Sequence, residues 1–349
     1  MMKKFRVISD LHIDVNKKFP IELPDNDVFT VICGDTSGDP KLTIDWVNAN
    51  VKSGVLIAGN HLPYCNHVHT FSKEYDKPGL PEIRLMSELR QELADAFPES
   101  GPITYLDVET GVFKKEVDGI LFIGTTMYTD MMMRHEQWNR NGDIGINMKC
   151  SEYNMNDYEY GYVSKSYPLG ADNDPSYVRM RASDYREWFI KSLNALEEAL
   201  QENESKANPL PVVLLTHHSL IKDFCMHSYY VDDARHLNTQ RDFNWASYAS
   251  DREYWLKRHK SIKCYCCGHI HSPEADYRSF KLTRDDGSQI LVVNNTRGYV
   301  RDGSDFTFNK NRFVNVETWE LEEIPETEEE KKARRERDDK IMKALLAFM

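Results

Sequence analysis

No stretch of this 349-residue chain approaches the roughly 20 consecutive apolar residues that a bilayer span needs. The opening "MMKKFRVISD" has lysines but no apolar run of signal-sequence length, so a soluble protein without a secretory leader is expected. Disulfide spacing is missing as well. The seven cysteines (Cys33, Cys65, Cys150, Cys225, Cys264, Cys266 and Cys267) are odd in number and scattered, which points to a reducing, cytoplasmic setting. Basic excess is also lacking, with 56 acidic residues against 44 basic ones and a formal net charge of -12. Such a surface repels duplex DNA at long range, so no broad nucleic-acid face is expected. There is no internal repeat. Low complexity is confined to "IPETEEEKKARRERDDK" near the end, which reads as a charged helical tail over 323–349.

Five short apolar runs are present: "FRVIS" (5–9), "VFTVIC" (28–33), "GVLIA" (54–58), "PVVLLT" (211–216) and "IKCYCC" (262–267). Each is near-continuously apolar and rich in β-branched or aromatic residues, the pattern of a strand buried on both faces. Each ends abruptly in polar groups: "DLH", "GD", "GNH", "HHS" and "GHIH". Strands that deliver polar groups at their C-terminal ends line a rim, where α/β sheets hold ligands. Apolar residues at helical spacing predict helices within 41–51, 82–97, 178–201 and 248–259, the third with Leu193, Leu196 and Leu200 on one stripe. Further strands are expected at 119–124, 289–294 and 312–319. This alternation predicts an α/β sandwich, one domain over 1–322. Residues 127–177 read as a long irregular cap or insert loop dense in Met, Tyr and Asn.

The strand ends supply Asp10, His12, Asp35, Asn60, His61, His217, His218, His269 and His271. Imidazoles with carboxylates and an amide oxygen suit Mn, Fe, Zn or Ni rather than Ca. Asp35, on the second and central strand, is the natural carboxylate to bridge two ions. Two divalent ions carry four positive charges and Asp10 with Asp35 return only two negative ones. That surplus favours an anionic ester as substrate.

In order along the chain, D-x-H (Asp10–His12), GD (Gly34–Asp35), GNH (Gly59–His61), HH (His217–His218) and GHxH (Gly268–His271) resemble the calcineurin-like metallophosphoesterases. "MNDY" (155–158) and "NNTRGY" (294–299) are similar to segments of a bacterial and phage-type branch. The resemblance implies a four-layer αββα sandwich of two mixed β-sheets flanked by helices. It implies one divalent ion on Asp10, His12 and His271 and another on Asn60, His217 and His269, with Asp35 bridging and manganese the expected metal. It further implies a metal-bound hydroxide as nucleophile and His61 as general acid. The expected function is a phosphodiesterase or nucleotide phosphatase. Alternatives are a Ser/Thr-type protein phosphatase or nuclease of the same superfamily, or a non-catalytic scaffold on the same fold. Two departures stand out. Leu62 follows GNH where the family has Asp or Glu, and "GDTSGDPK" lacks the Asp-Arg-Gly of the protein phosphatases.

Other residues carry two readings each. Asp39 either orients His61 or does not reach it. Arg297 either forks onto a phosphate or braces a turn, and His218 either faces substrate or supports a ligand. The cysteines of "CYCC" have no second pair to complete a zinc site and read as core filler. His67 and His69 read as loop histidines. The aromatics Tyr128, Trp138, Tyr153, Tyr158, Tyr160, Tyr162 and Tyr167 form either a base-stacking platform or a packed cap.

Overall fold

The structure is a computed structural model. It describes residues 1–24, 27–67, 82–134, 141–166, 176–226, 245–271, 278–300 and 308–324, with scattered residues of 327–343. The elements in order are β1 (Lys4–Ile8), β2 (Thr30–Ile32), α1 (Pro40–Asn50), β3 (Gly54–Leu56), α2 (Met86–Ala96), β4 (Ile103–Tyr105), β5 (Lys114–Val117) and β6 (Ile120–Thr125). There follow α3 (Ile144–Asn154), α4 (Asp157–Tyr160), β7 (Tyr162–Ser166), β8 (Ser176–Arg179), α5 (Ala182–Glu204), β9 (Val212–Thr216) and α6 (Asp223–Met226). The chain then forms α7 (Glu253–Arg258), β10 (Ile262–Cys267), β11 (Ser279–Thr283), β12 (Gln289–Asn294), β13 (Arg312–Asn315) and β14 (Glu320–Glu323).

One six-stranded sheet has the order β14-β13-β1-β2-β3-β4, and the other β11-β12-β10-β9-β6-β5. In the first, β1 to β4 are parallel and β13 and β14 antiparallel. In the second, β12, β10, β9 and β6 are parallel, with antiparallel β11 and β5 at the edges. Both sheets are therefore mixed, and the sandwich expected from the sequence is present.

Alternation along the strands divides the core. Phe5, Val7, Val31 and Val55 face Phe122, Val213, Leu215, Cys264, Cys266 and Val293 between the sheets. Ile8, Ile32 and Leu56 on one outer face, and Leu214, Tyr265 and Cys267 on the other, pack with the helices. Burying each such side chain contributes roughly 1.5–3 kcal/mol. The "CYCC" thiols are core, as expected.

Local chemistry sets the boundaries. Asp39 caps α1, its carboxylate accepting from the Lys41 amide, with Pro40 at the first helical position. Helix α5 buries Tyr185, Phe189, Ser192, Leu196 and Leu200. It begins at Ala182 rather than at 178, because residues 176–179 form β8. Asp118 and Gly119, both with positive φ (54° and 82°), make the tight turn between β5 and β6.

The described residues of 127–177 are not an irregular loop. Among the described residues they hold α3, α4 and the hairpin β7–β8. Asp143 caps α3 by accepting from the Ile146 amide. Tyr128, Tyr158, Tyr160 and Tyr162 are buried and Tyr153 is exposed, so the first four act as core rather than as a platform. Trp138, Tyr167 and His69 lie outside the described residues. In the tail, Glu328 pairs with Lys331, one residue short of the i, i+4 partner Lys332. Among the described residues no helix is long and apolar enough to cross a membrane.

Candidate metal centre

The loops after β1, β2, β3, β9 and β10 converge where the parallel ends of the two sheets meet. Backbone hydrogen bonds lace them together. The Asp10 amide donates to Gly34 O, His12 to Asp35 O, and Asp35 to Ala58 O. In the second sheet the Gly268 amide donates to His217 O, and His217 to Thr126 O. Ser9 bridges to Thr296, tying one sheet to the other.

The lacing forces unusual backbone. Asp10, His12, Asp35 and His269 all have positive φ (55°, 43°, 50° and 64°). For residues with a Cβ this region costs about 1–2 kcal/mol each. The cost is concentrated where the chain turns sharply out of a strand and aims a side chain inward.

Glycine spacing in the motifs has the same origin. Gly59 has φ 86°, and a Cβ there would lie 2.1 Å from Asp35 Oδ1. A Cβ on Gly268 would lie 2.2 Å from Ser9 Oγ and 2.6 Å from Asp10 Oδ2. Gly268→Ala is therefore expected to displace Asp10 and lower stability by about 1–3 kcal/mol. Its manganese affinity should fall at least about tenfold, since ligand orientation governs affinity. Thermal melts with a manganese titration check this; unchanged affinity would show that the close approach is not needed to place Asp10.

Three donor groups result. Asp10, His12 and His271 form one, His12, Asp35 and His61 a second, and Asp35, His217 and His269 a third, each with its ligand atoms within 4.8 Å. His12 and Asp35 each belong to two groups, so the clusters are continuous. His271 Nε2 lies 3.0 Å from Asp10 Oδ1 and 3.1 Å from His12 Nε2. His217 Nε2 lies 2.8 Å from Asn60 Oδ1 and 3.2 Å from Asp35 Oδ2. Its Nδ1 faces Cys33 O at 2.8 Å, which aims Nε2 into the cluster. Asp10 and Asp35 are themselves anchored. Asp10 accepts from the His269 amide at 3.1 Å and from Ser9 Oγ, and Asp35 Oδ1 accepts from the His61 amide at 2.9 Å.

Electrostatics leave two of the imidazoles ready to ligate a cation. Burial, together with His61 and His271, pushes the His12 imidazole well below its ordinary pKa and leaves it neutral. Burial and the neighbouring His218 and His217 do the same to His269. Neutral imidazole is the ligating form. Burial opposes the charge on Asp35, but His217 and His61 outweigh it and hold the carboxyl well below the usual range. At His217 burial is outweighed by Asp35 and Asp10, and the pKa stands at about 9. The buried Nε2 of His269 has no hydrogen-bond partner among the described residues. An orphaned ligating nitrogen beside a buried carboxylate is what a divalent cation would satisfy, so these residues fit one.

His61 stacks on Tyr64 (centroids 3.9 Å apart), and its Nε2 is 3.2 Å from Tyr299 Oη and 3.8 Å from Asp35 Oδ2. Asp39, occupied at the α1 cap, is not among those neighbours. Arg297 is buried and donates to Phe19 O, a brace for the loop before Gly298. His218 is buried among Tyr128, Tyr185 and His269. Three residues here were not singled out by sequence reasoning: Asp157, whose Oδ1 accepts from Asn60 Nδ2 at 2.6 Å, and Tyr64 and Tyr299 beside His61. The segments "MNDY" and "NNTRGY" drew notice only as resemblances. Nothing local assigns them partners 97 and 238 positions away.

No family model matches the sequence, and no curated protein matches it. Solved structures do. The phosphopantetheinyl hydrolase PptH from Mycobacterium tuberculosis aligns over 93% of this chain and 96% of its own, with TM-score 0.55 and 15% identity. The Haemophilus influenzae NAD nucleotidase NadN aligns over 83% of this chain and 39% of its own, with TM-score 0.30 and 13% identity. Two mixed six-stranded sheets between helices, aligning with PptH over nearly the whole length of both chains, give this chain the same fold as that hydrolase, the α/β sandwich that the resemblance implies.

Proposed function

We propose that the protein is a metal-dependent phosphoester hydrolase acting on a phosphodiester or a small nucleotide. The observation that carries this reading is the continuity of the donor groups through His12 and Asp35. Asp10, His12 and His271 would hold one divalent ion and Asn60, His217 and His269 another, with Asp35 shared. Such ions, when bound, lower the pKa of water and offset charge on phosphoryl oxygens. The chain's own residues do the rest. The carboxylates and imidazoles would hold the ions at one rim, where the charge left over would draw an anionic ester. His61, stacked on Tyr64, would give a proton to the departing oxygen. No protein nucleophile is required.

The preference for a diester or nucleotide rests on sequence: the net acidic surface disfavours long duplex DNA, and the Asp-Arg-Gly of protein phosphatases is missing. The phosphopantetheinyl group named for PptH belongs in the substrate panel, although 15% identity carries no substrate across. Turnover of bis-nitrophenyl phosphate with manganese should exceed that of nitrophenyl phosphate, and a clear monoester preference would overturn the diester reading. If nothing in a broad phosphoester panel is hydrolysed with Mn, Ni or Zn, the protein is instead a binding scaffold on this fold.

A further inference from the structure

The residue after GNH is Leu62, which is buried, so a hydrophobic side chain stands where the resemblance implies an acid. Asn60 nevertheless has a carboxylate partner, and it comes from α4. Asp157 is wholly buried. Its Oδ1 accepts from Asn60 Nδ2 at 2.6 Å and from Tyr185 Oη at 2.8 Å, while Tyr64 Oη lies 3.4 Å from Oδ2. These hydrogen-bond partners are all neutral.

Burial pushes the Asp157 pKa up, and a carboxylate buried among neutral donors costs free energy that apolar packing at the same place would avoid. What it supplies is direction. A carboxamide can turn over, exchanging its oxygen with its nitrogen, and a carboxylate only accepts hydrogen bonds. Were the Asn60 amide reversed, two oxygens would face each other where Nδ2 and Asp157 now meet. The reversed form is thereby excluded, and Asn60 Oδ1 is kept toward His217 Nε2 at 2.8 Å. The same carboxylate bonds the ring that stacks on His61, so one buried group orients both members of the GNH pair.

We propose that Asp157 is a positioning residue for the cation site formed by Asn60, His217 and His269. It acts from the inserted segment in place of an acid adjoining the motif. Orienting partners of this kind set metal affinity by about 10- to 100-fold. Tyr185 belongs to α5 and Tyr64 to the turn after GNH, so the packing of the insert is tied to the affinity of one cation site.

This inference rests on the two-cation reading above, and the test separates the two. Manganese binding to the full chain is followed by electron paramagnetic resonance of free Mn(II), with wild type, Asp157→Ala and Asp157→Asn. The expected result is two sites in wild type. In Asp157→Ala one site should be weakened about 10- to 100-fold and the other left within about threefold, and excess manganese should restore kcat. Asp157→Asn, which can still accept from Asn60 but carries no charge, should fall between. A merely structural role would lower the melting temperature and weaken both sites together. Either that result or folded variants with two wild-type affinities would overturn the role of Asp157 while leaving the two-cation reading intact. If Asp157→Ala fails to fold, Asp157→Asn alone decides, and wild-type affinities in it overturn the assignment. A wild type that binds no manganese would bring down both.

Discussion

Asp35→Ala is expected to cost the protein both cations and to lower kcat by about 10³-fold or more, equivalent to about 4 kcal/mol. Asp35 is the carboxylate shared by two of the three donor groups, and it is almost completely buried. Its replacement leaves His217 buried without the acid that chiefly holds its pKa at about 9. Burial then acts with less opposition, and the His217 pKa should fall. The sign matters for metal binding. A proton held on His217 competes with a cation, so wild-type affinity should climb as pH rises toward 9. Metal content by mass spectrometry, turnover and the imidazole NMR titration give three separate readings. Retention of two cations with turnover within about tenfold of wild type would show that Asp35 does not join the sites.

His61→Ala should behave differently. Metal content should stay near wild type while kcat drops by about 10²–10⁴-fold on esters whose leaving group is a simple alcohol. On nitrophenyl esters the loss should be much smaller, because a stable phenolate departs without a proton. This leaving-group dependence is the signature of a general acid. The structure also allows another role, since His61 shares a donor group with His12 and Asp35. If the variant loses a cation and is impaired equally on both kinds of ester, His61 is a ligand and the proton must come from elsewhere. Tyr299, whose hydroxyl is 3.2 Å from His61 Nε2, would then be the next group to replace.

Much of the architecture was legible because buried parallel strands leave a strong local trace. "PVVLLT" and "IKCYCC" match β9 and β10 almost residue for residue. Strands that were missed left weaker traces. β5 is "KKEV" and β14 is "ELEE", edge strands with exposed charge and no apolar periodicity. The insert reads as irregular in sequence for a related reason. Its helix α3 buries only Asn147 and Ser151, so it has no hydrophobic stripe to announce it. Its order comes from Asn147 donating to Met131 O and Met133 O, and from Ser151 meeting Tyr158 Oη, contacts that composition cannot show.

The sequence by itself determined the strand-end donors and the glycines that let the loops approach, since each is written in a few adjacent residues, and the α/β sandwich, which is written in the alternation of strands and helices. Only the tertiary structure decided which donors share a cluster, because that depends on two sheets meeting end to end. It alone put Asp157 against Asn60 and turned Arg297 to a backbone carbonyl. Hydrogen bonds between residues a hundred positions apart depend on packing and leave no periodic signal in the chain.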